Sequence, residues 1–111
     1  MKTLTVKEID KALLELMEEK PDFVYGEDTV CYYSRGPKGN SVKCTGCIFG
    51  QAFQRLGIPI KELQEIDKRV DTTISSVAEY FIENESPHYW TIIQEAQDGG
   101  CSWGELKQFF P

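Results

Sequence analysis

The segment TVKEIDKALLELMEEKP, residues 5 to 21, leaves the chain little choice at its start. Thr5 and Glu8 form a capping box, with the hydroxyl placed for the third amide of the helix and the carboxylate reaching back. Ile9, Ala12, Leu13, Leu16 and Met17 then recur at helical spacing, and Pro21 closes the run. The prediction is an amphipathic helix over about residues 6 to 19. Such a helix draws most of its stability from covering its apolar stripe, so the rest of the chain must supply a core against it.

The remaining punctuation divides the chain into further elements. Thr29 to Ser34 is β-rich, RGPKGN is full of turn formers, and SVKC follows, so a β-hairpin is expected near residues 29 to 44. A turn centred on Pro37 and Lys38 would set Cys31 opposite Cys44, and a bulge at Gly39 would shift that register by one. A second helix is expected from Cys47 to Leu56, stopped by Gly57 and Pro59. IKELQEIDKR reads as a short helix or turn. Ile74, Val77, Ala78 and Phe81 mark a helix from Asp71 to near Asn84. Pro87 opens another, with Trp90, Ile93 and Ala96 on one side, ending at Gly99-Gly100. Ser102 and Glu105 are a second capping box for a last helix carrying Leu106, Phe109 and Phe110. The expected fold class is α+β, a small, mostly helical single domain over residues 1 to 111, with about five helices and one hairpin.

A chain of 111 residues can bury a core without disulfides or a metal. It has no run of about 18 apolar residues, and MKTLTVKEID has no apolar signal region. A cytoplasmic protein is therefore expected, with no membrane partner and thiols kept reduced. The formal charge of −6 is unevenly placed. Residues 1 to 69 balance, whereas residues 70 to 106 hold Asp71, Glu79, Glu83, Glu85, Glu95, Asp98 and Glu105 with no lysine or arginine. That field repels phosphates and favours a partner with a basic surface, although acidic residues also serve solubility alone.

The four cysteines raise the question of metal chemistry. Cys44 and Cys47 have C-x-x-C spacing, and Cys31 and Cys101 could complete a four-thiolate zinc site, with His88 able to replace one of them. The second half of that set is two isolated cysteines rather than another C-x-x-C. Ile48, Phe49, Ala52 and Phe53 after Cys47 also read as a helix burying itself. Cys47 at a helix N-terminus would have a lowered thiol pKa, but the βαβ context of thioredoxin-type motifs is missing. Burial as small apolar residues is the favoured reading of these cysteines. Gly50, in the fourth position of C-I-F-G, would let another backbone approach the helix closely.

Other signatures of catalysis are weak. His88 is the single histidine, there is no Walker lysine motif, and no G-x-G-x-x-G follows a strand. Glu83 and Glu85 are two apart and do not face one another on a helix. Arg35, Lys38 and Lys43, near Tyr32 and Tyr33, make a thin footprint for nucleic acid. Trp90 and Trp103 are expected in the core, whereas Tyr80 and Tyr89 could be exposed among the acids as anchors for a protein partner.

Three segments taken together, PDFVY, C-I-F-G-Q-A-F-x-x-L-G-I-P and Q-D-G-G-C-S-W-G-E, carry a resemblance. The chain resembles a family of small uncharacterised proteins of actinobacterial phages and their hosts, with segments C-I-x-G-x-A-L-x-x-L-G-V-P and Q-D-x-G-x-x-W-G. The resemblance implies no activity and no catalytic residues. It matches Cys47, while Cys31, Cys44 and Cys101 lack counterparts. The expectation is a non-enzymatic phage or mobile-element accessory protein in the host cytoplasm, without cofactor. It would bind or inhibit a host protein through its acidic C-terminal part, by Glu79, Tyr80, Glu83, Glu85 and Tyr89. The alternative is a zinc- or thiol-dependent protein centred on residues 44 to 47. Nothing in the sequence sets the oligomeric state.

Overall fold

Helix α1 runs over Val6–Glu19 in the computed structural model, and its first turn is closed by the expected capping box of Thr5 and Glu8. The structure describes residues 3–25, 33–34, 46–69 and 71–111. Five further helices follow among the described residues: α2 (Ile48–Arg55), α3 (Ile60–Asp67), α4 (Ile74–Ala78), α5 (His88–Asp98) and α6 (Trp103–Leu106). A 3-10 turn over Lys107–Phe109 extends the last of them. The helix expected from Asp71 to Asn84 is only the five residues of α4, and turns carry the chain on from Glu79.

The described residues are all-α, which corrects the expected α+β class. They contain no strand, only an isolated antiparallel bridge between Val24 and Ser102. Most of the expected hairpin lies outside the described residues. Tyr33 and Ser34, placed in its first strand by sequence, form a bend instead. Their amides donate to the two carboxylate oxygens of Asp67, at 2.7 and 3.1 Å. At Tyr33 the aromatic side chain marks burial, because β-propensity measures fit to a half-buried surface more than a backbone preference. Tyr33 is fully buried.

Burial explains the helix assembly. Helix α1 lays Ile9, Ala12, Leu13, Leu16 and Met17 against α2 and α6, while α5 packs on α2, α4 and α6. Phe49 of α2 meets Trp90 of α5 edge-on, with centroids 5.7 Å apart. Phe53 meets Phe81 at 4.7 Å, so the turn after α4 closes over the other end of α2. The Trp103 amide donates to the Phe23 carbonyl and the Gly104 amide to that of Pro21, each at 2.9 Å. These bonds, and the Phe23 ring against Trp103 at 4.6 Å, lock the start of α6 to the segment after α1.

Close packing requires glycine at position 50. A Cβ on Gly50 would lie 2.1 Å from the Tyr33 carbonyl oxygen and 2.6 Å from its Cα. The approaching backbone expected from the sequence is therefore that of Tyr33, crossing α2 where only hydrogen fits.

Candidate functional site

Polar groups in the interior hold helix ends together, and sequence analysis missed them. Trp90, Ile93, Gln94 and Gln97 occupy one buried stripe of α5. The Gln94 carbonyl accepts the Ile74 amide at the head of α4, at 2.7 Å, and its amide donates to the Tyr33 hydroxyl at 2.6 Å. That hydroxyl donates in turn to the Thr72 carbonyl. The Gln97 carbonyl accepts the Ile48 amide at the head of α2 and the Trp103 indole N–H, at 2.7 and 3.2 Å. Two glutamines of one helix thus cap two others, supplying acceptors that unpaired first-turn amides require. Among the described residues no buried side-chain nitrogen or oxygen is left without a partner. The interval of four residues, from Trp90 to Gln94 and from Ile93 to Gln97, was the sequence signal for both glutamines.

Two of the four cysteines lie among the described residues. Cys47 is fully buried as the N-cap of α2, and its sulfur accepts the Gly50 amide at 3.4 Å. Cys101 is half-buried beyond α5. Cys31 and Cys44 lie outside the described residues. Among the described residues, no three or more His, Cys, Asp or Glu side chains gather as metal ligands. For the nucleic-acid reading, Arg35, Lys38, Lys43 and Tyr32 also lie outside the described residues, while Tyr33 is buried and offers no stacking face.

The surface residues expected to meet a partner do not all share one place. Glu79, Glu83 and Glu85 are exposed and line a recess of ≈ 420 Å³ with Ser75, Ile82 and Asn84. Tyr80 is 40% exposed on the other side of the same chain segment. It lines a second recess, of ≈ 310 Å³, with Glu62, Glu65, Ile66, Arg69 and Phe81. Tyr89 is apart from both, half-buried on α5. Its hydroxyl donates to the Asp10 carboxylate of α1, and its ring packs on Phe110 at 5.4 Å. Burial, reinforced by Asp10, holds its phenol above the ordinary range. Asp10 also accepts the Trp90 indole N–H at 2.7 Å, so one carboxylate ties α1 to two aromatic residues of α5.

Asp98 shows a different electrostatic state. Burial raises its carboxyl pKa, partly offset by the Gln97 amide that donates to it at 3.2 Å. It is also the last residue of α5, where the helix dipole disfavours negative charge. A folded-state pKa above the unfolded value of 3.8 means that stability from this group falls as pH rises through the folded pKa. Asp98→Asn is expected to gain about 0.5–1 kcal/mol at pH 7, a few degrees in Tm. Thermal melts at a series of pH values should show that gain disappearing in strong acid.

No protein-family model matches the chain, and no curated protein or solved structure matches it. No helix among the described residues is long and apolar enough to cross a membrane.

Proposed function

We propose that the chain is a non-enzymatic protein-binding domain whose acidic surface after α4 engages a basic segment of a protein partner. The carrying observation is that Glu79, Glu83 and Glu85, from the stretch without lysine or arginine, line one open recess. Carboxylates so placed steer a cationic partner and reject an anionic one, at a cost of several kcal/mol for like charges brought together. The half-exposed Tyr80 beside them adds an aromatic contact of the kind found at interface centres. In this reading the partner is a host protein and the effect of binding is its inhibition.

The test is parallel affinity capture from host lysate with the wild-type chain and Glu79→Lys/Glu83→Lys/Glu85→Lys. Each site is exposed, so folding should change little. Proteins retained by the wild type should carry lysine- and arginine-rich segments and bind the triple variant on the order of 10-fold more weakly or worse. Equal recovery by both proteins would place the interface elsewhere.

A further inference from the structure

The two recesses share a wall. Tyr80 and Phe81 face one of them, and their sequence neighbours Glu79 and Ile82 face the other. The smaller recess is floored by Ile66, from the last turn of α3, with Phe81 and the Tyr80 ring. Its rim carries Glu62 and Glu65 on the α3 side. Across the shared segment lie Glu79, Glu83 and Glu85. The recess that Glu62, Glu65 and Arg69 line around Ile66, Tyr80 and Phe81 therefore adjoins, across one chain segment, the recess lined by Glu79, Glu83 and Glu85. At ≈ 310 Å³ the former is at the small end of the roughly 300–1,000 Å³ of ligand sites, with room for one large side chain.

The chain also shows what the Tyr80 ring accepts. The Arg69 guanidinium sits over it, 4.6 Å from the centroid. Glu65 likewise holds a cation, Lys68, at 3.3 Å. Both are exposed contacts within one chain, so an incoming partner displaces them at little cost.

From this arrangement we infer the partner's recognition pattern, resting on the acidic-surface reading above. It is one apolar or aromatic residue, inserted between Ile66, Tyr80 and Phe81, with lysine or arginine on both sides. The flanking cations fall on Glu62 and Glu65 in one direction and on Glu79 and Glu83 in the other. The anchor supplies burial, and the charges supply orientation and rate of encounter.

Fluorescence anisotropy with short synthetic peptides tests this on the whole chain. The probes are an all-basic peptide with a central phenylalanine, the same peptide with central alanine, and an acidic counterpart with central phenylalanine. The wild type should bind the basic phenylalanine peptide about tenfold or more tightly than the basic alanine peptide, and the acidic one least. Tyr80→Ala, at a half-exposed position, should bring the two basic peptides to near equality while leaving salt-sensitive binding. Arg69→Ala should tighten the basic phenylalanine peptide, because it removes a lining cation and uncovers the Tyr80 ring. Equal binding of the two basic peptides by the wild type would overturn the anchor and leave the acidic-surface reading standing. Absence of binding to any basic peptide would overturn both. Loss of binding in Arg69→Ala, or preference for the acidic peptide, would show that Arg69 holds an anion and overturn the pattern.

Discussion

Gly50→Ala is expected to cost about 3 kcal/mol of folding stability, a large loss for the deletion of no contact at all. The added methyl would sit 2.1 Å from the Tyr33 carbonyl oxygen and 2.6 Å from the carbonyl carbon. Those are backbone atoms, so no rotamer change relieves the clash, and either α2 or the Tyr33 segment must move. Tyr33 has little freedom to do so. Its amide is held by Asp67, its carbonyl accepts the Gln54 amide at 3.2 Å, and its hydroxyl joins Thr72 to Gln94. Urea unfolding gives the loss directly. A double-mutant cycle with Tyr33→Phe identifies its origin, since that substitution alone should cost about 1–2 kcal/mol. In the Gly50→Ala background the cost should nearly vanish, because the hydroxyl is already displaced. Additive losses would mean that α2, and not the Tyr33 segment, moves to relieve the clash.

Gln97→Leu should lose about 3 kcal/mol while keeping the side chain's approximate bulk. Two donors, the Ile48 amide and the Trp103 indole, would be left facing hydrocarbon in a fully buried position. Each unsatisfied buried donor costs roughly 1–3 kcal/mol. Gln97→Glu separates acceptor loss from charge. It keeps an oxygen for both donors but places a carboxylate in a buried site beside Asp98, which raises its pKa. With the folded pKa above the unfolded one, its stability should improve as pH falls through the folded value. Gln97→Leu should show no such recovery. Chemical denaturation at neutral and acidic pH, followed by tryptophan emission, distinguishes the two. If Gln97→Leu is within about 0.5 kcal/mol of wild type, the trans-capping of α2 is not a source of stability.

These two losses mark the boundary between what the chain states locally and what it does not. Helix α1, both capping boxes and the core positions of Trp90 and Trp103 were legible in the sequence. So was the need for a backbone against Gly50. Each depends on residues within about four positions of one another or on one residue's steric demand. The candidate site was legible in part: Glu79, Glu83 and Glu85 share a recess, but Tyr89 is spent on Asp10, 79 positions away. The apolar floor of Ile66 and Phe81 could not be assembled from spacing, since it joins α3 to the turn after α4.

By itself, then, the sequence determined the helical periods, their local caps and the absence of positive charge from residues 70 to 106. Only the tertiary structure decided that Tyr33 bends into the core rather than pairing in a hairpin, and that Gln94 and Gln97 cap helices other than their own. The physical reason is range. Helical periodicity and capping boxes act over three or four residues, whereas burial brings a donor to an acceptor 49 positions away, where water no longer competes for either.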